Sequence, residues 1–232
     1  MRLDKYISQV TDLSRKEVKR LLRSGLVSVD DEVTKDAALQ VAEDSVVTLE
    51  GEPLQAPGPR YFMLHKPKGY VCVTQDREHP TVLELLDEPN KDKLQIAGRL
   101  DIDTTGLVLI TDDGQWNHAV TSPRRDCNKT YHVTLAEDIT PDTATRFAEG
   151  VMLEGEFKPT QPATLQQLYT NECLLTISEG KYHQVKRMFA AVGNRVEELH
   201  RLQVGDIVLE EELAEGDYRP LSETEIASVG AH

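Results

Sequence analysis

The sequence predicts an α+β protein made of a small first module and a larger domain built on a mixed, largely antiparallel sheet. Three prolines and a glycine lie between positions 53 and 59, and proline fixes φ and removes a backbone donor. Apolar residues at helical spacing precede this stretch, whereas apolar runs of strand length follow it. We therefore expect a module at 1–52, a linker at 53–60 and a second domain at 61–232.

Composition indicates a folded protein without a membrane segment. Of the 232 residues, 39% are apolar and 28% are charged, as in globular proteins. The three cysteines are Cys72, Cys127 and Cys173, and their wide spacing matches neither a disulfide framework nor a zinc site. With no signal-like or membrane-spanning run, the expected location is the cytoplasm.

The charge balance restricts how the chain can meet nucleic acid. A formal net charge of -14 argues against a protein that coats nucleic acid unselectively. Phosphate contacts depend on local patches, so an RNA-binding role requires basic residues gathered on one surface. The acidic segment 210–225 is expected to be a solvated surface.

Two short helices are predicted in the first module. Leu3, Ile7 and Val10 recur at helical spacing, and Ser14 with Glu17 forms a capping box that begins a second helix. Gly25 is expected to end that helix, with a strand following at 27–29.

The second helix presents a basic face. Arg15, Lys19 and Arg23 share one side, with Lys16 and Arg20 beside them. A charge run of this kind often only solubilises a helix, but the excess of one sign favours an RNA contact.

The segments 2–7 (RLDKYI), 14–15 (SR) and 25–29 (GLVSV) resemble the S4 RNA-binding module over about the first fifty residues. The resemblance implies phosphate contacts from the second helix and from the start of the chain. The residues concerned are Arg2, Lys5, Arg15, Lys16, Lys19, Arg20 and Arg23.

Strands dominate the predicted second domain. They are expected at 61–64, 107–110, 131–135 and 173–177, and Val185, Met188 and Phe189 form a helical stripe. Turns are expected at 112–114 and near 89–90. A polar loop at 98–106 (GRLDIDTTG) leads directly into the strand at 107–110, and loops held by such a scaffold often carry chemistry.

Three ordered motifs carry a second resemblance. The loop 98–106 is similar to the segment around the catalytic aspartate of pseudouridine synthases, and 66–70 (KPKGY) and 180–188 (GKYHQVKRM) also fit that family. With the S4-like start, the resemblance covers nearly the whole chain. It is closest to the branch that modifies 16S ribosomal RNA of the small subunit, although large-subunit relatives share the same domain order.

The resemblance implies one catalytic carboxylate, Asp101, and no cofactor or metal. The bond from C1′ to N1 breaks, uracil rotates, and C5 joins C1′. The aspartate can attack the sugar, attack the base or remove a ribose proton, and the sequence leaves these routes open. A carboxylate beside a base needs a cation to stay ionised. Lys186 is the candidate, at a position where many synthases carry arginine, and Arg187 is the alternative.

The target base has to leave its helix, and further residues are expected to hold the RNA. Tyr131 faces inward on its strand and by resemblance stacks on uracil, although a core tyrosine would show the same pattern. Arg99 is expected to fill the vacated stack or bind phosphate, with an ion pair to Asp103 as the alternative. The other predicted phosphate contacts are Lys66, Lys68, Arg124, Arg125, Lys129 and Arg187.

Two other classes of protein compete. Residues 101–105 fit the D-x-D-x-T pattern of aspartyl-phosphate phosphatases, but Gly98 and Arg99 interrupt the apolar strand that this pattern requires. A noncatalytic RNA-binding factor would gain nothing from Asp101 among phosphate contacts. The expected protein is a monomeric enzyme whose partner is ribosomal RNA, with no membrane contact.

Overall fold

The computed structural model describes residues 1–42, 44–55, 58–122 and 127–229. The chain divides into two compact units, Met1–Gly58 and Pro59–His232. The division falls inside the stretch predicted as a linker. The predicted linker begins too early, however, because Pro53 lies in a strand that pairs with Thr48. That strand is at the edge of its sheet, where the missing proline N–H is tolerated.

The first unit contains two helices and a small antiparallel sheet. The sheet has the order β2-β1-β3-β4 among the described residues. Its elements are α1 (Leu3–Val10), α2 (Arg15–Arg23), β1 (Val27–Val29), β2 (Glu32–Val33), β3 (Val47–Leu49) and β4 (Glu52–Leu54). Both predicted helices and the strand at 27–29 are confirmed.

Local sequence explains where α2 begins and ends. The Ser14 side chain accepts from the backbone N–H of Glu17, and the Glu17 carboxylate accepts from the backbone of Ser14, so the capping box is confirmed. Gly25 follows the helix at φ 72°, in the left-handed region that glycine tolerates. Val18 and Leu22 pack into the core of the unit, which leaves the basic side of α2 in solvent.

Among the residues described, the second unit contains nine strands, four α-helices and two short 3-10 helices, Val82–Leu85 and Lys91–Lys93. The strands are β5 (Tyr61–Lys66), β6 (Gln95–Ala97), β7 (Thr105–Thr111), β8 (Lys129–Leu135), β9 (Thr164–Tyr169), β10 (Glu172–Ile177), β11 (Val196–Val204), β12 (Ile207–Val208) and β13 (Tyr218–Pro220). The helices are α3 (Gly114–Thr121), α4 (Thr143–Glu149), α5 (Gln184–Ala191) and α6 (Glu223–Ser228).

The sheet runs in the order β13-β5-β7-β11-β8-β10-β9, with β6 also paired to β7 and β12 to β11. Its one parallel pair within the described ranges joins β7 to β11, and the other pairs are antiparallel. The predicted α+β class and the largely antiparallel sheet are confirmed, as are the four predicted strands and the helix with the apolar stripe.

Two segments of the second unit differ from expectation. The turn predicted at 112–114 begins α3, because the Asp113 carboxylate caps the N–H groups of Gln115 and Trp116. The acidic segment 210–225 is more than a solvated surface: β13 pairs with β5, and Arg219 bridges Glu210 and Glu225. Within the described ranges, no helix has the length and apolar character needed to cross a bilayer.

At Gly106 the backbones of β7 and β11 lie very close together in the centre of the sheet. Gly106 lies at φ 109° on β7, opposite Arg201 of β11. A Cβ there would lie 2.6 Å from the backbone nitrogen of Arg201 and closer still to its carbonyl oxygen. Only glycine therefore fits where the loop at 98–106 enters the sheet.

We expect Gly106→Ala to lower the free energy of unfolding by about 2 to 3 kcal/mol, because the methyl group has to displace a central strand and the φ angle is strained. Urea unfolding monitored by circular dichroism measures the change. Gly114→Ala is the control, since its φ is ordinary and a Cβ there meets nothing within 4 Å. Equal stability of the Gly106→Ala variant and the wild type would contradict the packing described.

Candidate active site

Asp101 lies in the wall of the large cavity of the second unit. The cavity has a volume of about 1060 Å³ and is open to solvent. Asp101 sits in the loop before β7, and residues of α5 and of the segment before it also line the cavity. The carboxylate is about one-third exposed, so a ligand in the cavity can reach it.

Two cationic or titratable side chains contact this carboxylate. Lys186 Nζ donates to Asp101 Oδ2 at 3.3 Å, and His183 Nε2 lies 3.3 Å from Asp101 Oδ1. Of the two cations that were candidates for the ion pair, it is therefore Lys186 that reaches Asp101. Arg187 points elsewhere and pairs with Glu156.

Lys186 also joins a second carboxylate to the first. Its ammonium donates to both oxygens of Asp103, at 2.8 and 3.0 Å. Burial acts to lower the pKa of Lys186, but the hydrogen bond to Asp103 and the charges of both aspartates raise it above its ordinary value. Burial acts to raise the pKa of Asp103, but the hydrogen bond and the charge of Lys186, together with smaller contributions, lower that pKa below its ordinary value. The lysine is thus charged at neutral pH.

Two buried cations hold the backbone of the loop that carries Asp101. Lys66 Nζ donates to the carbonyl oxygens of Ile102 at 3.3 Å and Thr104 at 2.7 Å, as well as to that of Pro67. Arg201 donates through Nε to Leu107 at 2.9 Å and through Nη2 to Gly98 at 2.8 Å. The loop is fixed at both ends and in its middle.

The structure corrects the role of Lys66. The sequence suggested a phosphate contact, but Lys66 is 0% exposed and its ammonium is surrounded by backbone carbonyls. Burial lowers the pKa of this lysine, and nearby acids including Asp103 and Asp101 partly offset the effect. Lys66 therefore positions the loop and is not available to RNA.

The role of Arg201 was not predicted from the sequence, because β11 contains no motif that distinguishes this arginine from others. The arginine is 2% exposed, and among the described residues no carboxylate pairs with it. A buried guanidinium is stable only when its donors are satisfied, which explains why it is aimed at the loop carbonyls.

Tyr131 and Lys129 lie on one face of β8 and both line the cavity. Tyr131 is 8% exposed, so its ring forms part of the wall. The side chain of Lys129 makes no hydrogen bond with any residue that the structure describes, and burial lowers its pKa. Both remain available to a ligand.

Arg99 lies exposed at the rim of the same cavity. Its alternative assignment, an ion pair with Asp103, does not hold because Asp103 is bound by Lys186. The guanidinium makes no ion pair with any described residue.

Two other predicted RNA contacts are engaged within the protein. Arg187 donates to the backbone oxygens of Tyr182 and Glu154 and pairs with Glu156, so the prediction that it binds phosphate is corrected. Lys68 is half exposed and pairs with Glu198 at 2.6 Å, which raises its pKa. Arg124 and Arg125 lie outside the described residues.

The cations of the first unit differ in exposure and in ion pairing. Arg2 is paired with Asp4 at 2.9 Å, whereas Lys5 is exposed. All five basic residues of α2 are exposed, and within the described part of the chain none has an ion pair: Arg15, Lys16, Lys19, Arg20 and Arg23.

His183 was also missed from the sequence. It lies directly before α5 in the left-handed region at φ 49°, and its ring stacks on Tyr182 at 3.7 Å. Its place in the motif at 180–188, three positions before Lys186, was the available signal, because residues three apart at a helix start share one side. No group of three or more potential metal ligands occurs in the described ranges.

Comparisons with known proteins place these features in a family. The model of the RNA pseudouridylate synthases matches residues 60–191, and the S4 domain model matches residues 1–47. The ribosomal small subunit pseudouridine synthase A of Yersinia pestis is 60% identical over 232 residues, which cover 100% of this chain and 99% of that protein. The protein of that name from Escherichia coli K12 is 57% identical over 230 residues, covering 99% and 100%.

A solved structure agrees. A crystal structure of a pseudouridylate synthase superposes with a TM-score of 0.72 at 47% identity, covering 99% of each chain.

Proposed function

Because the chain belongs to the RNA pseudouridylate synthase family and is therefore an RNA isomerase, we propose that it converts a specific uridine of 16S ribosomal RNA to pseudouridine, with Asp101 as its catalytic carboxylate. The observation that carries the proposal is the solvent-reachable carboxylate of Asp101, held between Lys186 and His183 in the cavity wall. The chain is similar over its whole length to relatives that are named for the small ribosomal subunit, and this favours 16S RNA over large-subunit RNA as the substrate.

The reaction fits a site of so few groups. One glycosidic bond breaks and one carbon–carbon bond forms within the same nucleotide, without redox change or net hydrolysis. A single carboxylate suffices for this, whereas glycoside hydrolysis uses two to manage a water and a leaving group. In the proposal the ammonium of Lys186 pairs with the reacting carboxylate of Asp101, and the enzyme acts as a cytoplasmic monomer without cofactor or metal.

The cavity also suits a nucleotide that has left its helix. Flipping a base costs a few kcal/mol, which contacts in the pocket have to offset. In the proposal the Tyr131 ring stacks on the target uracil, Lys129 neutralises a nearby phosphate, and Arg99 at the rim fills the vacated stack. Stacking alone contributes roughly 1 to 3 kcal/mol per base.

The competing assignments have less support. The D-x-D-x-T pattern of phosphatases at 101–105 lies here in a loop that leads into a largely antiparallel sheet, and the ammonium of Lys186 contacts both Asp101 and Asp103. A pure RNA-binding factor does not account for an accessible carboxylate in the cavity, where it repels phosphate.

Purified protein incubated with 16S RNA, with assembling small subunits and with large-subunit RNA tests the proposal. Pseudouridine mapping should find one converted uridine in small-subunit RNA, as the naked molecule or the particle. Conversion confined to large-subunit RNA would overturn the choice of substrate, and no conversion of any RNA would overturn the proposed activity.

A separate prediction concerns α2. Replacing Arg15, Lys19 and Arg23 together with alanine should reduce the slope of log affinity against log salt by about 2, because each lost phosphate contact removes roughly 0.7 to 0.9. Filter binding to 16S RNA between low and high salt measures the slope. Lys35→Ala, an exposed cation of the same unit outside α2, is the control. An unchanged slope in the triple variant would remove α2 from the RNA interface.

A further inference from the structure

Tyr182 exposes a large aromatic ring on the wall of the catalytic cavity. It is 76% exposed, yet it lines the same cavity as Asp101. An aromatic side chain this exposed adds little to the core of the unit, and its place in the cavity wall leaves the ring open to a ligand.

The ring is fixed from one side only. It stacks on His183 with centroids 3.7 Å apart and an interplanar angle of 24°. His183 in turn contacts Asp101, and the backbone oxygen of Tyr182 accepts from Arg187 at 2.9 Å. One face of the Tyr182 ring is therefore covered, and its exposure belongs to the opposite face and the edge.

A second exposed aromatic lies on a neighbouring segment. Phe157 is 99% exposed and follows Glu156, whose carboxylate pairs with Lys181 at 3.1 Å and with Arg187 at 3.4 Å. These ion pairs join the segment of Phe157 to Lys181, directly before Tyr182, and to Arg187 on α5. The region thus exposes aromatic rings on two linked segments, and proteins bind single-stranded nucleic acid by stacking bases on such rings.

We propose that the uncovered face of Tyr182 is a second nucleobase subsite, on which an unpaired base adjacent to the target uridine stacks. The inference rests on the proposed function and adds to it the recognition of a nucleotide beside the target uridine. The cavity of about 1060 Å³ slightly exceeds the size that holds one drug-sized ligand, so a flipped uridine leaves room for part of its neighbour.

The arrangement links this subsite to the catalytic group. A base on Tyr182 forms a continuous stack with Tyr182 and His183, and His183 contacts Asp101. The stacked neighbour therefore sets the register of the RNA relative to the carboxylate. The enzyme should require an unpaired nucleotide beside its target and tolerate any base there, because every base has an aromatic face.

Kinetics on the protein side test the subsite. Tyr182→Ala should raise KM about 5- to 150-fold, the loss expected from one stacked base, with little change in kcat. Tyr182→Phe and Tyr182→Trp should keep a KM near that of the wild type because they retain the ring. Tyr169→Ala is the matched control, since Tyr169 is 69% exposed on β9 and does not line the cavity.

Abasic substitutions on the RNA side identify the partner. An abasic site at one flanking position should lower kcat/KM of the wild type by the same factor as Tyr182→Ala, and the two changes together should lower it no further. Additive losses at every flanking position, or a loss in kcat alone, would overturn the subsite. An unchanged KM for Tyr182→Ala, with the wild type active on the intact RNA, would overturn the subsite and leave the proposed function standing.

Discussion

Asp101→Asn should lower the single-turnover rate of pseudouridine formation by about 10⁴-fold or more, as removal of an essential catalytic group does in other enzymes. The amide keeps the size of the side chain but has no negative charge, so it neither attacks the nucleoside nor removes a proton effectively. RNA affinity should stay within a few-fold of the wild type, because the lost charge only repelled phosphate. Release of tritium from RNA labelled at uridine C5 measures the rate.

Asp103→Asn is the matched control for this variant. Asp103 contacts the same ammonium of Lys186 but is more exposed than Asp101, and the proposal gives it no chemical step. We expect a loss of less than about tenfold, from weaker placement of Lys186. Comparable losses in the two variants would contradict the assignment of Asp101 as the reacting carboxylate.

Lys186→Met should lower the same rate by about 10²-fold, since it leaves two carboxylates close together without their cation. Lys186→Arg should recover much of the loss. The hydrogen bond from Lys186 holds the pKa of Asp103 low against burial, so that pKa rises when the lysine is removed. Carboxyl titration followed by NMR should accordingly show Asp103 protonating at higher pH in the Lys186→Met variant than in the wild type.

A rate for Lys186→Met within about threefold of the wild type would show that the ion pair does not support catalysis. Single-turnover assays with enzyme at saturating concentration separate this effect from binding.

Local signals in the sequence predicted local features well. The capping box of Ser14 and Glu17 involves atoms three residues apart, so the sequence contains both partners of the interaction. The strand at 131–135 alternates in burial as its pattern predicts, which brings Tyr131 to the cavity. The loop at 98–106 could be located because it is a polar segment between apolar ones.

Long-range contacts explain what the sequence did not reveal. Lys66 and Lys68 are two positions apart in one short motif, yet the first is buried and the second half exposed. The acceptors that hold Lys66 lie 36 and 38 residues further along the chain, and only the pairing of β5 with β7 brings them near. The sequence did not reveal the role of the acidic segment for the same reason. Its strand β13 pairs with β5, which lies near the other end of the domain in sequence.

The most direct test of the central claim compares 16S RNA from cells that lack the protein with RNA from the same cells supplied with the wild type or with Asp101→Asn. We expect one pseudouridine that disappears without the protein, returns with the wild type and stays absent with the asparagine variant. An unchanged set of 16S pseudouridines in the deficient cells, or restoration by Asp101→Asn, would contradict it.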